Sequence, residues 1–385
     1  MRVASQRRVA FVFCPHRPEA ARLDTMPFAQ TLLERLSASG WQVDVFVWTK
    51  FDLYIRNFSN GTIQHKYVKM RTANAKMQFL ELTLRFARYA AYKCVFSVGQ
   101  IGSYIGSIIS TVSRCPHVLL NEEFPSCWGR SRWADLERRC ARLADAIVVP
   151  SDDRHARLRE ELQLNGDKPF VTVRNTPTVT LPPADTDWHR FLGIPDGKKI
   201  FIHAGSIADW AQVPEILCSV NYWPADAVLL LHSRVRGNEL ANYRKEMSHL
   251  DNPGRVFWSI GPLDQNMLHS LIASCSGCFA LYRNIGPNVE LVGTSSGKLM
   301  RSIACGTPLI TSSFNSLEFV AREGVGIQVR HASEIPAAVE NLIRNNESFR
   351  KRCADFAISE EVYKEKAWRQ IIEIVKKAPN GVDLS

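Results

Sequence analysis

The segment that decides the fold class is residues 8–48, RVAFVFCPHRPEAARLDTMPFAQTLLERLSASGWQVDVFVW. Its first residues, Arg8–Phe13, form an apolar run of strand length, and Val43–Trp48 form a second one. Between them, Pro27–Ser39 has apolar residues at helical spacing, and Gly40 ends that helix. Two strands around one helix predict a right-handed crossover unit of a parallel β-sheet.

The same alternation continues through both halves of the chain. Further strands of the first half are predicted at Val95–Val98, Val118–Leu120, Ala146–Val149 and Phe170–Val173. Strands of the second half are predicted at Ile200–His203, Ala227–His232, Val256–Trp258, Cys278–Leu281 and Pro308–Ile310. Helical patterns fall between them, which is typical of doubly wound α/β sheets. Such sheets bind their ligands at the carboxyl ends of the strands.

A change of composition divides the chain. The length of 385 residues suits two domains, and the stretch 176–199 is rich in Pro, Asp and Gly, as linkers are. We predict an N-terminal Rossmann-like domain at 1–180, a linker at 181–198 and a C-terminal Rossmann-like domain at 199–357. Residues 358–385 are predicted to form a long basic helix and a tail.

The composition argues against several classes of protein. Hydrophobic residues make up 45% of the chain and aromatic residues 10%, which excludes a disordered or collagen-like chain. The first residues lack the apolar region of a secretory leader. The ten cysteines are therefore expected to be free thiols in a reducing compartment. The pair Cys275 and Cys278 lacks further ligands nearby, so we predict buried cysteines and no metal site.

The net charge of +10 is concentrated in one segment. Residues 50–93 contain nine basic and two acidic side chains. Within them, Tyr67–Lys93 mixes cations with apolar residues, and helical spacing places Arg85 and Arg88 on one face with Tyr92. This pattern predicts a helix on an anionic membrane surface; a core helix with a solvated basic side is the alternative. No nucleic-acid-binding module is found, so no nucleic acid partner is predicted.

The next segment, Cys94–Ser113, contains no charged residue and includes the pattern Gly102-x-x-x-Gly106. A membrane helix is one interpretation of this pattern. However, Gln100 and several Ser and Gly residues make the segment only mildly hydrophobic. We therefore predict a strand, a glycine loop and a buried helix.

An anion site is predicted in residues 281–306. Thr294-Ser-Ser-Gly-Lys298 opens a helix, so Ser295, Ser296, Lys298 and free backbone N–H groups come together. A helix dipole favours an acidic residue in this turn, so the lysine is better explained by a phosphate ligand. The alternative is an N-cap formed by Ser295 or Ser296 beside a solvated Lys298.

Three further strand ends carry candidate residues. His203-Ala-Gly-Ser206 ends a strand in a glycine, which allows close approach of a ligand or merely makes a tight turn. Arg234 follows another strand and either clamps a pyrophosphate or is an ordinary surface arginine. Glu122 and Glu123 follow a strand of the first half. There, Glu123 orients an acceptor hydroxyl or acts as a base, or it is a plain loop carboxylate.

The order and spacing of these segments resemble the GT-B glycosyltransferases, particularly the family 4 type of bacterial polysaccharide and lipopolysaccharide pathways. The resemblance covers roughly Val118–Ile374. It rests on Asn121-Glu-Glu-Phe-Pro125, Ala144–Ser151 with Arg154, Val173–Pro177, His203–Ser206, Arg255–Pro262, Ser296-Gly-Lys298 and Ala304–Ile310. It implies an α/β chain of two Rossmann-like, doubly wound domains that face each other across a cleft: an N-terminal acceptor domain and a C-terminal nucleotide-sugar donor domain. It also implies that the final helix, Ile358–Lys377, crosses back to the N-terminal domain.

The resemblance implies transfer of a sugar from a nucleotide-sugar donor, with retention and without a metal or other cofactor. The acceptor would be a glycan or lipid-linked, at the cytoplasmic face of the cell membrane. Carried over by position, the donor site comprises Gly205, Ser206, Arg234, Tyr282, Glu290, Ser295, Ser296, Lys298 and Arg301. The acceptor side comprises His16, Arg17, Glu122, Glu123 and Arg154, and the catalytic group comprises Glu123, Arg234 and Lys298.

Two departures from the family pattern distinguish this chain. Arg301 occupies the position where the family usually has a Glu that binds the ribose hydroxyls, and a cation cannot accept hydrogen bonds from a diol. The first strand runs into Cys14-Pro-His-Arg-Pro-Glu19 instead of a glycine-rich loop. Two other functions therefore stay open: a nucleotide-sugar epimerase on the same fold, and a non-catalytic subunit of a glycosylation complex.

Overall fold

The computed structural model describes residues 7–14, 26–47, 62–67, 75–88, 92–128, 132–179, 186–234 and 238–385. The chain divides into two compact units. The first comprises Met1–Asn175 together with Tyr363–Ser385, and the second comprises Thr176–Val362. Each unit is built on its own parallel β-sheet.

The first unit contains a seven-stranded sheet in the order β3-β2-β1-β4-β5-β6-β7. Its strands are β1 Arg8–Phe13, β2 Gln42–Val47, β3 Ile63–Tyr67, β4 Cys94–Val98, β5 His117–Leu120, β6 Ala146–Val149 and β7 Phe170–Thr172. In the register of the central strands, Phe11 lies opposite Val45 on one side and Phe96 on the other. Buried apolar runs explain these central strands, because each buried large apolar side chain contributes about 1.5–3 kcal/mol.

The helices of the first unit pack on this sheet. They are α1 Pro27–Ala38, α2 Ala75–Phe86, α3 Gln100–Ser113, α4 Arg132–Leu143 and α5 His155–Glu161. Helix α2 ends at Phe86, so the expectation that Arg85, Arg88 and Tyr92 share one helical face is wrong. Tyr92 is instead buried, and its hydroxyl donates to the carboxylate of Asp44.

Helix α3 shows why the uncharged segment 94–113 is part of the core. A Cβ atom on Gly102 would lie 2.9 Å from the carbonyl oxygen of Val12, and one on Gly106 would lie 2.7 Å from Cβ of Ser97. The two glycines therefore let the helix approach the sheet closely, and the prediction of a strand followed by a buried helix is confirmed. Among the described residues, no helix is both long enough and apolar enough to span a membrane.

The second unit contains a six-stranded sheet in the order β10-β9-β8-β11-β12-β13. Its strands are β8 Lys199–Ala204, β9 Ala227–Ser233, β10 Val256–Ile260, β11 Gly277–Ala280, β12 Leu309–Ser312 and β13 Gly326–Val329. Its helices are α6 Trp188–Leu192, α7 Val213–Ser219, α8 Asn238–Glu246, α9 Gln265–Ser274, α10 Pro287–Glu290, α11 Gly297–Ala304, α12 Phe319–Arg322 and α13 Ile335–Arg344.

The last helix, α14 Asn346–Lys377, contributes residues to both units. Cys353 is buried in the core of the second unit, whereas Trp368 and Ile371 are buried in the core of the first. The segment predicted as a linker, 181–198, belongs to the second unit from residue 186 onward. There, Trp188 of α6 is buried in the core of that unit.

The strand orders locate the point where each sheet reverses its direction of growth. In the first sheet this point lies between β1 and β4, and in the second between β8 and β11. Loops after the carboxyl ends of such strands diverge and leave a crevice, which is where doubly wound sheets bind ligands.

Candidate functional site

The strongest candidate site of the second unit lies where its sheet reverses. Gly205 directly follows β8, Tyr282 comes two residues after β11, and α11 begins at Gly297. Because the two strands are neighbours and parallel, their carboxyl ends meet at one edge of the sheet. Lys298 lies in the first turn of α11 and reaches both strand ends.

Lys298 is a half-buried cation. Its Nζ lies 3.4 Å from Nε2 of His203 and 5.6 Å from the centroid of the Tyr282 ring. No described carboxylate lies within ion-pair distance of it. Burial lowers the pKa of Lys298 to about 8, while Cys278 nearby acts weakly in the opposite direction. An anion next to Nζ would therefore meet a cation that lacks a counter-ion in the described part of the chain.

His203 is a polar neighbour of Lys298. Its ring is fully buried, and Nε2 donates a hydrogen bond of 2.9 Å to the backbone carbonyl of Ser206. Burial, and then the charge of Lys298, hold the pKa of His203 well below its usual range. The histidine is therefore neutral and leaves the positive charge of this spot to Lys298.

Gly205 is required by its own backbone conformation and lies beside the Lys298 side chain. Its φ of +148° lies outside the range that other residues adopt readily, and a Cβ there would lie only 2.9 Å from Cε of Lys298. The structure therefore shows a close approach of the Lys298 side chain to Gly205, and close approach of a ligand stays a prediction.

The start of α11 shows which serine caps the helix. Oγ of Ser296 accepts a hydrogen bond of 3.2 Å from the backbone N–H of Leu299 and lies 2.8 Å from the hydroxyl of Tyr282. The hydroxyl of Ser295 donates to the carbonyl of Val292 within its own loop. Ser296 is therefore the N-cap, and Lys298 beside it is half-buried rather than solvated.

A stacked aromatic pair connects the two loops of this site. The rings of Trp210 and Tyr282 are 6.1 Å apart with an interplanar angle of 7°. Gln212, held at a φ of +51°, donates from Nε2 to the carbonyl of Tyr282 at 2.7 Å. The backbone N–H of Arg283 donates to the carbonyl of Trp210. These contacts fix the loop after β8 against the segment after β11.

The other residues predicted for the donor lie around the same edge in different environments. Ser206 and Glu290 are exposed, and Arg234 is half-buried directly after β9. Arg301 lies one turn after Lys298 on α11 and is half-buried. Their roles in donor binding stay predictions.

The first unit places Glu122 and Glu123 after β5, as predicted. Glu122 is exposed and Glu123 half-buried. The guanidinium of Arg154 is buried 4.3 Å from the centroid of the Phe124 ring and donates to the carbonyl of Glu122 at 2.9 Å. Burial lowers the pKa of Arg154 to about 10, against the raising effect of the two glutamates. Arg154 therefore holds this loop, and His16 and Arg17 lie outside the described residues.

Sequence reasoning did not single out Glu137, although it adjoins this loop. Glu137 of α4 is buried, and Asn121 donates to its Oε1 from Nδ2 at 2.9 Å. Burial raises the pKa of Glu137 to about 7, and the charge of Glu123 adds to that effect. The available signal was its place at helical spacing with the apolar residues Ala134, Cys140 and Ala141, which all face the core.

The cysteine pair of residues 275 and 278 is buried, as predicted. Cys275 and Cys278 are free thiols and are both buried in the core of the second unit. Within the described ranges, no group of three or more His, Cys, Asp or Glu residues is placed to hold a metal ion.

Comparison with known proteins supports the fold. No family model and no curated protein matches the sequence. Among solved structures, sucrose-phosphate synthase from Thermosynechococcus elongatus superposes with a TM-score of 0.70 at 16% identity, covering 96% of this chain and all of the other. Anabaena Alr3699/HepE in complex with UDP gives 0.70 at 13% identity, with 96% and 100% coverage.

The chain has the GT-B fold. The predicted fold class is thereby confirmed over nearly the full length of the chain. A putative UDP-N-acetylglucosamine 2-epimerase from Listeria monocytogenes also superposes, with a TM-score of 0.65 at 14% identity and coverage of 98% and 99%. At these identities the likeness concerns the fold, so activity is argued from the site.

Proposed function

We propose that this chain is a glycosyltransferase that moves a sugar from a nucleoside diphosphate sugar to an acceptor hydroxyl. The observation that carries the proposal is Lys298, a half-buried cation with no described carboxylate partner at the start of α11. A diphosphate there would receive the charge of Lys298 and the free backbone N–H groups of the first helical turn. The UDP complex of the similar Anabaena protein is consistent with such a ligand.

The proposed reaction breaks the bond between the anomeric carbon and the diphosphate and forms a bond to the acceptor oxygen. The departing diphosphate gains negative charge, which Lys298 and Arg234 would stabilise electrostatically. The proton of the acceptor hydroxyl is released, with Glu123 as the proposed group that orients the hydroxyl or takes the proton. The family resemblance supports retention at the anomeric carbon without a metal, and we name no protein nucleophile.

Ligand-dependent stabilisation tests the donor site first. We expect one of UDP, GDP, ADP and TDP to raise the melting temperature, because a ligand that binds only the folded state stabilises it by mass action. Lys298→Met should lose most of this shift while keeping the aliphatic stem. Lys245→Ala removes an exposed lysine of the same unit and should keep it. No shift with any nucleotide would favour the non-catalytic subunit.

Product analysis separates the transferase from the epimerase, which the Listeria structure keeps as an alternative. A transferase releases a nucleoside diphosphate in proportion to the acceptor glycosylated. An epimerase changes the configuration of the donor sugar with no acceptor present, which NMR of the nucleotide sugar would detect. Conversion of the sugar without an acceptor would refute the transferase.

We further propose that the protein acts peripherally at the cytoplasmic face of the membrane, on a glycan or lipid-linked acceptor. Helix α2 exposes Met77, Leu80 and Leu84 at intervals of three and four residues, with exposed fractions of 51%, 49% and 68%. Half-buried Arg85 and exposed Arg88 are close in sequence. An apolar stripe beside cations suits an anionic lipid surface. Lys69 and Arg71, two other cations of the segment Tyr67–Lys93, lie outside the described residues.

Sedimentation with vesicles that contain anionic lipid tests this surface. Binding should weaken with salt, and the double variant Leu80→Ser with Leu84→Ser should reduce it at least several-fold. The matched control is Ile358→Ser with Val362→Ser, which removes two exposed apolar residues from α14. Equal loss in both pairs, or none in the first, would contradict a role of α2.

A further inference from the structure

A buried carboxyl–amide contact lies at the carboxyl end of β5 and has no place in the chemistry proposed above. Glu137 is 3% exposed, and Asn121, which directly follows β5, is 1% exposed. Nδ2 of Asn121 donates a hydrogen bond of 2.9 Å to Oε1 of Glu137. Gln100, the first residue of α3, is also buried and faces the same carboxyl group.

Two oxygen atoms of this contact lack a donor. Oε2 of Glu137 and Oδ1 of Asn121 are both shielded from solvent, and no residue in the described ranges donates to either of them. Leaving two buried acceptors unfilled costs free energy, and an ionised Oε2 would cost more than a neutral one. A proton on Oε2 that is donated to Oδ1 of Asn121 would remove both deficits.

The surrounding charges do not favour an ionised Glu137. From the loop after β5 it faces Glu123, and on its own helix its neighbours include Arg138 and Cys140. Arg138 is paired with Asp135 instead. Burial is the largest effect on the pKa of Glu137 and raises it, and Glu123 raises it further. Asn121, Gln100 and Arg138 oppose this in part, and the result is a pKa of about 7.

We propose that Glu137 is a protonated carboxylic acid whose Oε2–H donates to Oδ1 of Asn121, so that acid and amide form a ring of two hydrogen bonds. In this pairing Glu137 is a positioning residue, since it acts through Asn121 on the segment that carries Glu123. The acceptor role of that segment rests on the proposed function, whereas the proton on Glu137 does not.

The matched variants are Glu137→Gln and Glu137→Ala. Glutamine keeps both hydrogen bonds, because its N–H donates to Oδ1 of Asn121 and its carbonyl accepts from Nδ2. The native state of the wild type keeps the proton after the unfolded chain has lost it, so its stability falls as the pH rises from about 4.5 to about 7. Glu137→Gln should lack this decline. Glu137→Ala should melt at a lower temperature than Glu137→Gln at every pH.

The measurement is the difference in melting temperature between wild type and Glu137→Gln as a function of pH, without any substrate. The proposal is supported if the melting temperature of the wild type falls relative to that of Glu137→Gln as the pH rises to about 7, and if the difference stays constant above that pH. A difference that does not depend on pH, or a melting temperature of the wild type that rises relative to that of the variant, would overturn the proposal. Glu340→Gln, on an exposed ion pair with Arg344, is the control for general charge effects.

Infrared spectroscopy tests for the proton on Glu137 in the wild type, so the outcome that would refute the proposal does not depend on whether a variant folds. In D2O, the carbonyl band of a protonated carboxyl group should be present at about pH 6 and lost by about pH 8, on either side of the pKa of about 7. Desolvation also raises the pKa of Glu122 to about 7, so the band is assigned to Glu137 where Glu137→Gln weakens it and Glu122→Gln does not. Complete ionisation of all carboxyl groups at about pH 6 would refute the proposal while leaving the transferase untouched.

Discussion

Each unit holds a charged side chain that is at least half-buried, and the two side chains have opposite surroundings: one has partners of opposite charge, and the other has none among the described residues. In the first unit Asp44 is fully buried on β2. Its carboxylate accepts hydrogen bonds from Lys66, at 2.6 Å, and from Arg8 and Tyr92. In the second unit, Lys298 faces a neutral histidine and an aromatic ring, with no described carboxylate in reach.

The pKa shifts express this difference. Burial, the largest effect, raises the pKa of Asp44, but hydrogen bonds from Lys66 and Tyr92 and the charges of Lys66 and Arg8 bring it below its usual value. For Lys298, burial prevails and lowers the pKa to about 8. The fold thus stabilises the charge of Asp44 and destabilises that of Lys298. A charge that is costly without a ligand marks a binding site better than a charge already neutralised.

Removing the neutralised charge should have the largest effect on stability. Asp44→Asn leaves Arg8 and Lys66 without their common partner, so we expect a loss of about 3 kcal/mol in the free energy of unfolding. Chemical denaturation followed by tryptophan fluorescence measures it. The loss should shrink at acid pH, because the wild type loses this contribution as Asp44 is protonated below its usual value of 3.8.

The exposed pair Glu340–Arg344 provides the matched control for this variant. Glu340→Gln should change the free energy of unfolding by less than about 0.5 kcal/mol. Equal effects of the two substitutions would mean that Asp44 is no better stabilised than a surface carboxylate.

Removing the uncompensated charge should have the opposite sign and a smaller size. Without ligand, Lys298→Met should stabilise the protein by on the order of 1–2 kcal/mol near neutral pH. Between about pH 8 and the usual lysine value of 10.5, the unfolded chain binds the proton that the native state has lost. Wild-type stability should therefore rise with pH across this window relative to the variant.

Melting curves of both proteins from neutral pH to about pH 10 measure this difference. The stabilisation by nucleoside diphosphate should move in the opposite sense, weakening as Lys298 loses its charge above about pH 8. A variant that is less stable than the wild type throughout would show that Lys298 is a structural residue, like Asp44.

These two sites also mark how far the sequence predicts this molecule. Apolar runs located every strand of the first sheet except β3, Ile63–Tyr67, whose sequence IQHKY is polar and lies at the sheet edge. In the second sheet, the edge strand β13 was not predicted, because Gly326 and Gln328 interrupt a short apolar run. Apolar patterning is strong where both faces are buried and weak at an edge.

The sites were predicted only in part for a related reason. The small residues before Lys298 and the glycine after β8 are local signals, and the structure places both at the carboxyl edge of the second sheet, while the anion itself stays a prediction. The stack of Trp210 on Tyr282 joins residues far apart in sequence, so no local pattern contains it. Glu137 required knowledge of burial, because its chemistry comes from what surrounds it.

The smallest expected effect concerns the hydrogen bond between Tyr282 and the N-cap Ser296. Tyr282→Phe removes the hydroxyl that lies 2.8 Å from Oγ of Ser296, while the stacked ring and the capping bond to Leu299 can persist. We expect a loss of about 1 kcal/mol in the free energy of unfolding. If the cap is positioned for an anion, nucleoside diphosphate stabilisation should fall as well. Thr83→Val, which removes a hydroxyl bonded to Tyr104 in the first unit, should leave that stabilisation unchanged. Equal ligand responses in both variants would show that Ser296 supports the helix alone, and the contrast with Asp44 would then rest on Lys298.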